Sequence, residues 1–194
     1  MKRYKVAKPH LIPGTNILKN KPGITNQKDL DRFELLSFLA RLDTVPDGDF
    51  STYHLKQIHA HTLQDVYDWA GEFRNVPIEK GISVFCRPEF IKQEIDKITK
   101  SIVISELRGM STEAFSKKLT EIVSELNAVH PFLDGNGRAI RVYVQKISIA
   151  VGFRLDVSKL RGESWNIASE KSFFGNNQDL LKILKKNLSR IREL

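Results

Sequence analysis

The chain has 194 residues, 41% apolar and 28% charged, the balance of one folded domain with a core of its own when domains average roughly 150 residues. No run approaches the ~20 consecutive apolar residues of a membrane span, and Met1-Lys2-Arg3-Tyr4 leads into no apolar signal segment, so a cytoplasmic protein is expected. The net charge of +8 is unevenly placed, because Lys2, Arg3, Lys5, Lys8, Lys19, Lys21 and Lys28 all precede the first acid, Asp29. The remaining chain is nearly neutral, which argues against a nucleic-acid-binding body and for a solvated basic lead-in over residues 1–28.

In chain order, Pro9, Pro13, Gly14, Pro22 and Gly23 make that lead-in irregular. Thr25 or Asn26 is expected to cap a helix to about Leu42, with Leu30, Phe33, Leu36, Phe38 and Leu39 as its apolar positions. After a loop at 44–49, Ser51 caps a second helix in which Leu55, Ile58, Leu63 and Val66 recur at helical spacing. The pattern then changes. Phe73–Ile78 and Ile82–Phe85 flank the turn Glu79-Lys80-Gly81 and read as the one strand pair of the chain, an edge hairpin that tolerates Pro77. Pro88 opens a helix through Phe90, Ile91, Ile95, Ile98 and Ile102 to Gly109. Ser111 or Thr112 caps another, whose Phe115, Leu119, Ile122, Leu126 and Val129 form a single buried stripe. Further helices are expected from about 138 to Gly152, near 157–171 and over 177–192. The fold class is therefore all-α, a helical bundle carrying one β-hairpin.

The chemistry concentrates at His130-Pro131-Phe132-Leu133-Asp134-Gly135-Asn136-Gly137-Arg138-Ala139-Ile140-Arg141. A striped helix ends in a histidine, and Pro131 stops it from continuing. Two glycines around an asparagine then free the backbone just before a new helix, so the N–H groups of Gly135, Asn136 and Gly137 can form a nest for an anion. Arg138 and Arg141, three apart on that helix, share a face and suit a polyphosphate. Asp134 is the one acid of the loop, and a lone carboxylate holds Mg²⁺ best when substrate phosphates share the ion. His130 can accept a proton at neutral pH. A base, a metal and a clamped nucleotide describe phosphoryl or nucleotidyl transfer. The clustered His54, His59 and His61 lack any HExxH or cysteine spacing, so no zinc site is expected. Cys86 is the single cysteine, which excludes an intramolecular disulfide.

This segment resembles the signature HPFxDGNGRxxR of the Fic family, matching all nine defined positions. Asp65-Val66-Tyr67-Asp68-Trp69-Ala70-Gly71-Glu72-Phe73-Arg74, Ser172-Phe173-Phe174-Gly175-Asn176 and the lead-in Pro13–Lys21 look like further parts of the family, so most of the chain is covered. The resemblance implies residues 29–194 as a Fic domain that transfers AMP from ATP to a Tyr, Ser or Thr hydroxyl of a target protein, releasing pyrophosphate. It makes His130 the general base and Asp134 the Mg²⁺ ligand. Gly135, Asn136 and Gly137 become the anion nest, Arg138 and Arg141 contact the outer phosphates, and Lys80 and Gly81 of the flap lie near the nucleotide. Asn127, one turn before His130, is expected to face the same pocket. The hairpin at 75–85 implies a docking edge for the target. Many relatives are silenced by a helix carrying [S/T]xxxE[G/N]; the one SxxxE match, Ser189 to Glu193, is followed by Leu194 and is read as non-inhibitory. A separate small antitoxin offering a glutamate to Arg141 is the implied alternative. Another transfer chemistry on the same fold, or a nucleotide-binding module without turnover, stays open beside AMP transfer.

Overall fold

The computed structural model describes residues 8–191. Helix α1 (Gln27–Arg41) begins where Asn26 Oδ1 accepts the N–H groups of Lys28 and Asp29, at 2.9 and 3.2 Å. Helix α2 (Thr52–Leu63) is capped by Ser51, whose hydroxyl accepts from His54 N. The hairpin follows as β1 (Glu79–Lys80) and β2 (Ser83–Val84), antiparallel, with Glu79 opposite Val84 and Lys80 opposite Ser83, so the expected strand over 73–78 is irregular and the first strand falls on residues expected in the turn. Gly81 takes φ +62° at the turn, a left-handed conformation that glycine adopts without penalty.

Helix α5 (Thr112–Val129), capped by Ser111, runs through the middle of the molecule. It packs against α3 (Pro88–Lys100), α6 (Asn136–Ala150), α7 (Glu163–Phe173) and α8 (Gln178–Lys186). Its stripe of Phe115, Leu119, Ile122, Leu126 and Val129 is buried along its whole length. That burial fixes the direction in which the helix ends, and so the position of His130.

Several expectations are corrected. The helix begun by Pro88 does not reach Gly109: Val103 is extended (φ −98°, ψ 102°), and α4 (Ile104–Arg108) starts anew. The β-branched run Ile102-Val103-Ile104 disfavours helix, and the break allows both Ile102 and Leu107 to be buried. The 157–171 segment is a 3₁₀ turn, Val157–Lys159, separated from α7 by Gly162 at φ +84°. The last helix stops at Lys186, where Asn187 Nδ2 donates back to Ile183 O. β4 (Leu188–Arg190) then pairs with β3 (Phe153–Leu155), a second sheet in a chain expected to hold one strand pair. Its strands are too short to show alternation, and it is tertiary packing, Phe153 stacked on Phe115 with centroids 4.7 Å apart, that holds β3 in place. Leu36, Leu39 and Phe90, expected in the core, are about half exposed.

Residues 8–24 are not a solvated arm. Leu11 bridges Leu18, Lys21 N donates to Val66 O at 2.8 Å, and Ile17 and Leu18 join Leu30, Leu63, Val66 and Tyr67 in a second apolar cluster. Lys2, Arg3 and Lys5 lie outside the described residues. Among the described residues no helix is long and apolar enough to cross a membrane.

Candidate active site

Helix α5 ends at His130 because that residue turns left-handed (φ 50°) while its N–H still bonds Leu126 O. His130 Nδ1 lies 3.1 Å from Asn127 O. A carbonyl can only accept, so the proton sits on Nδ1 and Nε2 carries the lone pair. The imidazole stacks on Phe85, just after β2, with centroids 4.1 Å apart and 23° between the planes. Burial pulls its pKa down to about 3; the Asn127 carbonyl opposes this, and the positive charges of Arg74 and Lys80 add to it. At neutral pH it is an uncharged imidazole, able to take a proton.

The turn that follows is held from beneath. Asn136 Oδ1 accepts Phe132 N and its Nδ2 donates to Phe132 O, both at 2.8 Å, closing the loop on itself. His59 accepts Gly71 N at Nδ1 (2.8 Å), so its Nε2 donates to Asp134 O (2.9 Å), and its ring stacks on Phe132 at 3.7 Å. Gly135, at φ +76°, passes so close that an added Cβ would lie 2.3 Å from Leu63 Cδ1 and 3.2 Å from His59 Nε2.

Helix α6 then opens at Asn136, with Gly137 next, and the first N–H groups of a helix have no acceptor within it. Such N–H groups, together with the helix dipole, favour an anion, and this opening of α6 is the candidate anion cradle. Gly135 contributes differently from the expected nest: its N–H donates to Asp134 Oδ1 at 2.5 Å. The Asn136 side chain is likewise a loop fastener. A methyl group at Gly137 would lie 3.3 Å from Arg141 Nη1, which puts that guanidinium beside the cradle. Arg138 reaches the other way. Its Nη2 donates to Glu34 Oε2 on α1 at 2.9 Å and is 3.8 Å from Asp134 Oδ1.

Beside His130 is a cavity of about 380 Å³. Lys80, Gly81, Asn127 and His130 all line it, which brings those four sequence-selected residues together. Ser83, Phe85 and Phe173 line it too, as do Asn166, Ser169 and Glu170 of α7, which carry no motif that sequence reasoning could have used. Asn127 Nδ2 and Ser169 Oγ are buried there without a hydrogen-bond partner among the described residues, polar atoms that a bound ligand would satisfy. Glu34, His59, Arg74 and Phe85 were also missed. The quoted family stretch contained Arg74 unassigned, and the aromatic before Cys86 was the remaining signal. Asp134 fits Mg²⁺ in one respect, as a single hard oxygen donor next to an anion cradle, where phosphate oxygens would supply further ligands. No group of three or more His, Cys, Asp or Glu able to hold a metal by itself occurs among the described residues. Ser189 and Arg190 belong to β4, so the SxxxE match begins on a strand and not on a helix; Glu193 lies outside the described residues.

The class of protein is a helical bundle in which a short hairpin lies beside a histidine-ended helix and the glycine-rich turn after it. The model of the Fic/DOC family matches residues 49–147. The chain is 38% identical over 180 residues, 91% of its length and 94% of the relative's, to the probable protein adenylyltransferase y4lH of Sinorhizobium fredii. It is 30% identical over 188 residues, 95% and 94% of the two lengths, to the probable protein adenylyltransferase Fic of Escherichia coli. Among solved structures, the BepC effector protein of Bartonella tribocorum with bound AMPPNP superposes with a TM-score of 0.86, at 23% identity, over 95% of this chain and 98% of that one. The chain belongs to the Fic/DOC family.

Proposed function

We propose that the residues around His130 carry out AMP transfer from ATP to a hydroxyl side chain of a target protein, with loss of pyrophosphate. The enzyme class is that of its relatives, a protein adenylyltransferase. The observation that carries this reading is a His130 imidazole, neutral at pH 7, lining a cavity and followed after a short loop by the N-terminus of α6, whose free N–H groups suit an anion.

The nucleoside enters the cavity and the triphosphate lies along the opening of α6. The target hydroxyl oxygen attacks the α-phosphorus, and its proton passes to His130 Nε2. The bond from the α-phosphorus to the oxygen bridging to the β-phosphate breaks, and pyrophosphate leaves. The N–H groups of Asn136 and Gly137 and the guanidinium of Arg141 hold the phosphates. Arg138, with Nη2 engaged by Glu34, offers the remaining N–H groups of its fork. Asp134 would hold Mg²⁺, which neutralises charge on the phosphates when bound. Lys80 and Gly81 close over the nucleotide from the hairpin.

The target docks along the 75–85 hairpin by strand addition, for which the exposed Ile82 and Val84 supply apolar contacts. Regulation falls to a separate partner that offers a glutamate to Arg141. An ATP-dependent reaction and a single thiol suit the cytoplasm. The test incubates the protein with ATP labelled at the α-phosphate, Mg²⁺ and a cell lysate, beside His130→Ala. Label on protein that disappears with the variant, while ATP binding persists, supports the reading. Label carried only from the γ-phosphate would favour phosphotransfer instead.

A further inference from the structure

The side chain of Arg74 is 3% exposed, and no carboxylate pairs with it among the described residues. Its partners are all backbone carbonyls. Nε donates to His130 O (2.8 Å), Nη1 to Val76 O (2.9 Å), and Nη2 to both Cys86 O (2.5 Å) and Val129 O (3.1 Å). Its own N–H adds a bond to Pro131 O at 2.9 Å. Burying a guanidinium without a counter-ion is costly, and here burial pulls its pKa down to about 10. A planar fork with five donors can meet that cost only by reaching several acceptors together.

The carbonyls it reaches belong to two pieces of structure. Val129 and His130 are the C-terminal end of α5, whose last carbonyls lack helical partners. Val76 and Cys86 are the two roots of the hairpin, one before β1 and one after β2. Cys86 N also donates to Ala128 O at 3.3 Å, a second tie between the same two pieces. We infer that Arg74 is a positioning residue that makes the hairpin and the His130 backbone one rigid body, so that a hydroxyl presented by the hairpin meets the base at a fixed place. This rests on the reading that the hairpin docks the target. Arg74 is not among the residues that line the cavity. Its loss should therefore lower turnover more than it weakens ATP binding, to which the hairpin contributes only through Lys80 and Gly81.

The experiment compares Arg74→Lys with the intact protein. Lysine keeps the charge but cannot span four carbonyls. Hydrogen exchange should accelerate at least about 10-fold in residues 76–87 and 128–132 and stay unchanged in α3 and α8. With α-labelled ATP and a cell lysate, the maximal rate should fall by about 10- to 100-fold while the apparent KM for ATP rises by a clearly smaller factor. Unchanged exchange at the hairpin, an unchanged rate, or a KM rise that accounts for the whole loss would overturn the assignment. If the intact protein transfers no label, the AMP-transfer reading fails and exchange alone decides the coupling. If Arg74→Lys does not fold, native-state exchange of the intact protein decides. The amides of Cys86 and His130 should then open with one shared denaturant dependence, and separate dependences would refute the coupling.

Discussion

Phe85 lies flat against the imidazole of His130, with centroids 4.1 Å apart, and meets Phe173 of α7 edge-on at 5.5 Å. Phe85 is therefore the flap's part of a wedge between the His130 imidazole and the late helices, while one ring nitrogen of His130 is fixed by Asn127 O. Phe85→Ala removes the flap's half of this wedge and leaves the tautomer-fixing bond intact. Turnover should fall by about 10-fold or more through loss of alignment, and ATP affinity should fall by a smaller factor because Phe85 also lines the cavity. Phe85→Tyr, which keeps the stack, should retain most activity. Single-turnover rates with labelled ATP, beside equilibrium ATP titrations, separate the two effects.

Two buried histidines give the protein a definite response to acid. Burial pulls both His59 and His130 down to about 3, against an unfolded value near 6.5. The unfolded chain therefore binds more protons between those values, so their contribution to stability is complete above about pH 6.5 and is lost as pH falls toward 3. Each histidine contributes a slope of up to about 1.4 kcal/mol per pH unit within that window. Urea midpoints measured from pH 7 to pH 4 should fall accordingly, and His59→Gln should flatten the profile. The acidic limb of kcat/KM for ATP should also lie well below the pKa of an ordinary histidine.

Gly135 is where the backbone and the space around it both require glycine. At φ +76° an alanine incurs a left-handed penalty of about 1–2 kcal/mol, and its Cβ would collide with Leu63 Cδ1 and press on His59 Nε2. Leu63 can swing aside, but His59 cannot without releasing Asp134 O. Gly135→Ala should therefore lower the melting temperature and weaken ATP binding together. Calorimetry on the variant with and without ATP reads both. An alanine variant of wild-type affinity would mean that the cradle does not depend on this turn.

The sequence made the chemistry legible because it is local. His130 through Arg141 fall on one turn and the helix after it, so spacing alone keeps the histidine, the carboxylate and the helix N-terminus proposed as the site within one short segment, although of these residues only His130 lines the cavity. The α5 stripe was legible for the same reason, since a 3.6-residue period survives at any depth of burial. What the sequence concealed is long-range. Glu34, His59 and Arg74 reach the loop from three other segments, and nothing in their local pattern distinguishes a surface charge from a buried fastener. Strands β3 and β4 have three residues each, too few for a period. The exposed Leu36 and Leu39 mislead in the opposite sense: apolar residues at helical spacing predict burial only if another element covers that face.

Glu34 sets stability against ligand binding. Its carboxylate is 4% exposed, accepts from Arg138 Nη2 at 2.9 Å, and also accepts from the Tyr67 hydroxyl. Glu34→Gln keeps the shape and a hydrogen-bonding oxygen but leaves the half-buried guanidinium with a neutral partner there and only the more distant Asp134 carboxylate, at 3.8 Å. Losing a charge-assisted bond at such a site costs about 1–3 kcal/mol of stability. The same change removes a negative charge near the phosphate cradle and loosens Arg138, which shares that cradle's helix. ATP affinity should therefore rise several-fold as the melting temperature falls, and the gain should shrink at high ionic strength. Titration calorimetry at low and high salt, beside thermal unfolding without nucleotide, tests this opposition of signs. Affinity falling in step with stability would mean that Glu34 instead holds Arg138 in its phosphate-binding position.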